Sequence, residues 1–218
     1  MKLALSMLCA VFAYGQAAGG ANQPYNDPST RTKIAASLVD EARDARQRPK
    51  ELIAALRLKP GMSVADVGTG AGYMLPFLSE AVGPGGKVYA EDIFPDFLEA
   101  AKKRGSGLRN VEYILGDTRS AKLPAKSVDV VLVLDAYHHF DYPEPMMANL
   151  RESLRPGGRI VVVEYHKNEK SMPNRRALEH IRATKDEFVA EIEKFGLKAV
   201  EVREFIPEVQ WLAAFERR

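Results

Sequence analysis

The hydrophobic rhythm of the chain changes at about residue 62. Before that point, TKIAASLVDEARDARQRPKELIAALRL places Ile34, Leu38 and Ala42, then Leu52, Ile53 and Leu56, at helical spacing, with Pro49 separating two predicted helices. From Met62 onward short apolar runs alternate with amphipathic ones. SVADV (63–67) precedes a predicted helix reaching about residue 81, GKVYAED (86–92) precedes PDFLEAAKKR, and NVEYIL (110–115) follows. VDVVLVL (128–134) then precedes PMMANLRESL, and RIVVVEY (159–165) leads into a long predicted helix over about 173–195. Strands alternating with helices predict a mostly parallel sheet covered on both faces, because parallel strands need crossover connections. VDVVLVL and RIVVVEY are almost continuously apolar, as strands buried on both faces are. LKAVEVREF and VQWLAAFER have no helical pattern between them and predict an antiparallel pair closing one edge.

A chain of 218 residues, 46% hydrophobic, can bury one sizeable core. GGANQPYNDPST (19–30) has linker composition, so 16–30 is predicted as a linker or extended arm, 31–57 as a helical cap and 58–218 as the main domain. MKLALSMLCAVFAYG carries one lysine, an apolar run and small residues, with Ala13 and Gly15 placed for cleavage before Gln16. Residues 1–15 therefore predict an export signal, and their apolar run falls short of the roughly 20 residues of a stable membrane span. Cys9 is the only cysteine and lies in that run, so a cleaved chain has no thiol chemistry. The net charge is +2, with 31 basic and 29 acidic residues interspersed, which leaves no footprint for nucleic acid.

In open parallel sheets, ligands sit beyond the carboxyl ends of the strands. After the first predicted strand comes VADVGTGAGY, with Gly68, Gly70 and Gly72 at alternate positions. The dinucleotide fingerprint places its third glycine three residues after the second, and here Tyr73 holds that position, which argues against a nicotinamide cofactor. Asp66, two residues before the first glycine, would repel a pyrophosphate and suit a cationic ligand. Asp92, with Glu91 as the alternative, follows the second strand about where an acid accepts ribose hydroxyls. Asp117 follows the third strand and is placed to accept from an adenine amino group, although Gly116-Asp117 is also an ordinary turn.

VADVGTGAGY, Asp92, GDTRS, VLVLDAYHHF and LRPGGRIVVVE together resemble the class I S-adenosylmethionine-dependent methyltransferases over about residues 50–218. The resemblance implies a three-layer, doubly wound, Rossmann-like α/β fold whose seven-stranded sheet has its last strand antiparallel. It implies S-adenosyl-L-methionine as cofactor, with Gly68, Gly70 and Gly72 near the methionine part, Asp92 on the ribose and Asp117 on the adenine. Asp135 would face the methionine end or the acceptor, and Asp66 would support the glycine turn.

A sulfonium is already a good leaving group, so positioning and water exclusion matter more than obligatory machinery. Where the acceptor needs deprotonation, Asp135, Tyr137 and His138 are the candidate catalytic groups, with His139 and His166 also near strand ends. The four histidines show no ligand spacing with a third partner, and no metal site is predicted. The sequence after the fourth strand, Asp135-Ala136-Tyr137-His138, lacks the Asn-Pro-Pro-Tyr type of motif of base and amide methyltransferases. With no separate recognition domain, a small-molecule acceptor entering under residues 22–50 is expected. Tyr25, Tyr73, Tyr137, Tyr142 and Trp211 are candidate aromatic walls, and Arg43, Asp44 and Gln47 candidates at the entrance. An exported enzyme would work away from the compartment that makes its cofactor. The alternatives are an uncleaved anchor facing the cytoplasm, a start at Met7 or later, or a domain working outside on supplied cofactor. For function, the alternative is an exported S-adenosylmethionine-binding domain without turnover.

Overall fold

In the computed structural model, which describes residues 16–40 and 42–218, the strands are β1 (Ser63–Val67), β2 (Lys87–Asp92), β3 (Val111–Leu115), β4 (Val128–Leu134), β5 (Leu154–Tyr165), β6 (Leu197–Ile206) and β7 (Gln210–Arg217). They form one seven-stranded sheet in the order β3-β2-β1-β4-β5-β7-β6. Only β7 runs antiparallel to its neighbours, because it returns from β6 through a short turn and pairs with both β6 and β5. The chain builds outward from β1 to β2 and β3, then crosses back to place β4 on the other side of β1. That reversal opens a crevice at the carboxyl ends of β1 and β4. The predicted export signal, 1–15, lies outside the described residues.

Side chains alternate across the sheet and make a core on each face. On one face Val64, Val88, Leu132 and Val161 meet helices α4 (Pro49–Leu56) and α5 (Leu75–Val82) through Leu52, Leu56, Leu75 and Leu78. α6 (Pro95–Arg104) joins that layer through Ala101. On the other face Val67, Val131, Val133 and Trp211 pack against α7 (Pro143–Ser153), α8 (Ala177–His180) and α9 (Lys185–Lys194). Burial on both faces accounts for the almost continuously apolar runs of β4 and the second half of β5.

Two expectations change. The long helix over 173–195 is broken into a single 3₁₀ turn, Pro173–Arg175, then α8 and α9. Ile181 leaves the helical region at the end of α8, and Thr184 starts α9 afresh with a reciprocal capping box to Glu187. The stretch 16–30 is not an extended arm. It forms α1 (Gly19–Asn22) and a 3₁₀ turn (Gln23–Asn26), and it enters α2 (Pro28–Leu38) at Pro28, followed by α3 (Arg43–Gln47). Ala18 and Ala21 are buried, and the Asn22 side chain donates to the carbonyl of His139 at 2.9 Å and to Asp141 at 3.0 Å. Tertiary anchoring thus orders a segment whose composition favours turns.

Asp27 begins α2 by accepting from the backbone N–H groups of Ser29 and Thr30 and from both hydroxyls. These bonds hold its carboxyl at about 2, well below the usual aspartate range. In Asp27→Ala, the amides of α2 are expected to exchange with solvent faster while those of β1 and β4 keep their protection. Equal acceleration in both places would show that the cap supports the whole fold rather than the cover alone.

Candidate active site at the switch point

The glycine turn leaves β1 at Val67 and approaches the end of β2. Gly70 sits at φ +56, and a Cβ there would lie 2.7 Å from Leu38 Cδ1 of α2. Gly72 serves a different end: a Cβ there would meet Leu75 and Ala101, so it permits close packing of the turn onto α5 and α6. Gly68 and Gly70 line a cavity at the strand ends whose empty space, part of it open to solvent, is about 940 Å³, and Gly72 does not.

Both acids at the end of β2 face the cavity. Asp92 accepts the N–H groups of Gly70 and Phe94, each at 2.9 Å, and so ties the glycine turn to the start of the next helix. Burial pushes its carboxyl up to about 6 against those donors. Glu91 accepts from Gly68 N–H at 3.3 Å through Oε2, while its buried Oε1 has no partner. Burial, and then the neighbouring Asp92, raise its carboxyl well above the ordinary range. Asp66 accepts from Thr69 Oγ1 at 2.7 Å, and burial lifts it to about 6. Three buried acids thus line one cavity, and their burial makes a cationic ligand the one that would favour their ionised forms.

Asp135 follows β4 with φ 52, in the left-handed region that aspartate tolerates better than most residues. Its carboxylate accepts from Gln210 Nε2 at 2.6 Å and faces an Arg43 guanidinium nitrogen at 3.6 Å. Burial raises it to about 7, with Arg43 opposing. Arg43 also stacks over the Tyr73 ring at 4.2 Å, and the Tyr73 hydroxyl donates to Asp44 at 2.7 Å. Gln47 is buried and donates to Gln210 at 3.1 Å. The three residues read from sequence as entrance candidates therefore form one polar chain ending at Asp135.

Other predicted site residues lie elsewhere. Tyr137 is fully buried on the α9 side of the sheet, where its hydroxyl donates to Glu191 at 2.7 Å, and it does not line the cavity. Trp211 is in the same core cluster, Tyr142 stacks with Arg119 outside the cavity, and His166 pairs with Glu204 at 2.8 Å. Asp117 is half-exposed and accepts from Arg119 and Ser120 N–H within its own turn, while the adjacent Thr118 is the residue that lines the cavity. A turn acid satisfied by its own backbone has little need of a ligand. Sequence reading missed Asn22, Leu38, Thr69 and Phe94 as lining residues; Thr69, inside the glycine run, was the one with a visible signal.

The short turn Tyr137–His139 after β4 carries two histidines with different surroundings. His139 lines the cavity beside Tyr25, their rings 4.8 Å apart. His138 is buried behind it, with Nδ1 at 2.7 Å from Glu164 and Nε2 at 3.1 Å from His180. Burial holds His139 well below the usual imidazole range and His180 down at about 3, so both rings are neutral.

A glycine turn at the switch point, with acids at the ends of β1 and β2 and after β4, is the arrangement of an α/β nucleoside-binding site. Residues 65–162 match the family described as methyltransferase domain, and the fold is that of S-adenosylmethionine-dependent methyltransferases. An S-adenosylmethionine-dependent methyltransferase from Aquifex aeolicus superposes with TM-score 0.76 at 28% identity, covering 87% of this chain and 97% of that one. The protein-L-isoaspartate O-methyltransferase of Methanothrix thermoacetophila is 39% identical over 109 residues, 49% of each chain. The ubiquinone/menaquinone biosynthesis C-methyltransferase of Burkholderia cenocepacia is 29% identical over 117 residues, 53% of this chain and 48% of that protein. The matched region thus spans about half the length of these curated relatives.

The cavity fits S-adenosyl-L-methionine on its own chemistry. A ligand with a sulfonium, an ammonium and ribose hydroxyls supplies the cations and donors that Asp66, Glu91 and Asp92 lack. Among the described residues, no helix is long and apolar enough to cross a membrane.

Proposed function

We propose that the chain transfers a methyl group from S-adenosyl-L-methionine to a small-molecule acceptor held between the strand ends and the N-terminal helices. The observation carrying this reading is the cover: Asn22, Tyr25, Leu38 and Arg43 close the same cavity whose floor is the glycine turn and the acids of β2. An acceptor must fit beneath that cover, which favours a compact molecule over a folded protein. The names of the relatives point to acceptors of different kinds, a protein in one case and quinone biosynthesis in another, so acceptor identity is not inherited from them.

When bound, the cofactor supplies an activated methyl group on a sulfonium. The chain then has to orient it, keep water away and manage the acceptor's proton. Glu91 and Asp92, which both line the cavity at the end of β2, would take the ribose hydroxyls. Gly68 and Gly70 let the backbone approach the amino-acid part. Leu38, Phe94 and Phe97 exclude water from above. Asp135, raised to about 7 and held between Arg43 and Gln210, is placed to accept a proton from the acceptor near neutral pH.

Calorimetric titration of the purified chain with S-adenosylmethionine, S-adenosylhomocysteine and NAD separately is expected to give binding with the two sulfur compounds and none with NAD. Binding of NAD alone would move the chain to the nicotinamide oxidoreductases. Cofactor binding with no consumption across a broad acceptor panel would favour a binding domain without turnover. In Asp92→Ala, S-adenosylhomocysteine is expected to bind about 1.5–3 kcal/mol more weakly, the range for hydrogen bonds to a charged group. Unchanged affinity would give the ribose to Glu91 alone. The basic, apolar and small-residue pattern of 1–15 supports export of the mature chain, and a periplasmic or secreted product beginning at Gln16 is the expected result of N-terminal sequencing.

A further inference from the structure

Sequence spacing showed no metal site, yet the fold gathers three histidines beside the cavity. His138 and His139 come from the turn after β4, and His180 from the end of α8. One ligand nitrogen from each lies within 4.8 Å of the other two. His138 Nε2 and His180 Nε2 are already 3.1 Å apart. Two nitrogens on a tetrahedral zinc stand roughly 3.3 Å apart, given bonds of about 2.0–2.1 Å.

The opposite edges of two rings are fixed as metal-bound imidazoles require. His138 Nδ1 is 2.7 Å from the fully buried carboxylate of Glu164, which also accepts the N–H groups of His138 and Tyr165. His139 Nδ1 is 2.7 Å from Asn22 Oδ1. The amide of Asn22 is oriented by donating its nitrogen to the His139 carbonyl and to Asp141. Both Nδ1 atoms are therefore placed as donors to an oxygen, which leaves Nε2 as the ligating atom of each ring. A carboxylate or carbonyl oxygen behind each ring is the usual support of a ligating histidine. A hydrogen bond between His138 and His180 would satisfy those two rings, but it would leave His139 without a comparable role for its Nε2. Tyr25 Oη is its nearest partner, at 3.4 Å.

We propose that His138, His139 and His180 bind one divalent transition ion of the zinc type, supported from behind by Glu164 and Asn22. Three imidazoles leave a fourth position open, as in catalytic rather than structural zinc sites. His139 belongs to both the triad and the cavity wall, so that position is adjacent to the acceptor space. If the methyl-transfer reading holds, the open position takes an oxygen, nitrogen or sulfur of the acceptor and favours its deprotonated form.

The test needs no turnover. The full chain, stripped with a chelator and dialysed, is titrated with Co²⁺ in the absence of S-adenosylmethionine, and its visible d–d spectrum is followed. One equivalent is expected to bind with the intense band of four-coordinate cobalt, and Zn²⁺ should displace it. His180→Ala, at a partly exposed helix end, should lose the band, and Glu164→Gln should weaken binding about 10- to 100-fold. His166→Ala, remote from the triad, should bind as the parent does. No stoichiometric band, a band retained in His180→Ala, or a band lost in His166→Ala would overturn the proposal. None of those results would touch the cofactor titration.

Discussion

Gly70→Val is expected to abolish measurable cofactor binding while the sheet still unfolds cooperatively. At φ +56 a β-branched residue is strained by about 1–3 kcal/mol. Its Cβ would also press on Leu38 Cδ1, 2.7 Å away, and overpacking adds about 1–3 kcal/mol where neighbours cannot yield. Here one neighbour can yield, because α2 belongs to the cover rather than the sheet. The turn would keep its place against β2, and Leu38 would be displaced from the cavity roof. Urea denaturation and titration with S-adenosylhomocysteine on the same preparation separate the outcomes. Lost affinity with a cooperative transition supports a turn built for ligand approach. Loss of the transition itself would make Gly70 a requirement of folding.

The second large effect concerns Asp66, whose substitution by asparagine is expected to stabilise the ligand-free protein and weaken its hold on cofactor. Its folded-state value of about 6 lies above the 3.8 of an unperturbed aspartate, and the main cause is burial. Between those two values the native state binds more protons than the unfolded chain. The contribution of Asp66 to stability is therefore complete below about pH 4 and is lost as pH rises through about 6. A rise of that size corresponds to about 3 kcal/mol as an upper figure. The asparagine would keep an oxygen for the Thr69 hydroxyl without carrying the charge. The gain should thus appear above about pH 6 and vanish near pH 4, where the parent is already neutral. A cationic ligand reverses the balance by favouring the ionised acids. Cofactor binding by the parent should release protons and strengthen with pH up to about 7, a range that also covers Asp92 at about 6. Urea midpoints of parent and Asp66→Asn across this range provide the check, with calorimetry in buffers of different ionisation enthalpy. A constant stability difference from acid to neutral pH would show that Asp66 stays ionised in the ligand-free protein.

The same acids show where sequence reading succeeded. Asp66, Glu91, Asp92 and Asp135 were legible because each stands at the carboxyl end of a strand whose apolar pattern was unmistakable, and strand ends in a parallel sheet share one rim. The antiparallel closing pair was legible for a similar reason, since two strand patterns with no helix between them leave only a tight return. Asp117 and Gly72 shared the right pattern, but their surroundings differ: a self-satisfied turn holds one, and the packing of α6 claims the other. Tyr137 was misplaced because the 3₁₀ turn after β4 rotates successive side chains to different sides, sending Tyr137 to Glu191 and His139 to the cavity.

By itself, then, the sequence determined the layers, the mostly parallel sheet with its antiparallel closing pair, and the acids along the rim at the strand ends. These follow from local periodicity and from the spacing of a few residues along one continuous stretch. Only the tertiary structure decided that Asn22, Tyr25, Leu38 and Arg43 roof the site, that Arg43 and Gln210 grip Asp135, and that His180 meets His138 across 42 positions of chain. Such pairings depend on how separate elements pack, and neither composition nor period carries that information. The roof shows this most clearly, because Gly, Pro and Asn favour turns until buried contacts to His139 and Asp141 hold them as helices.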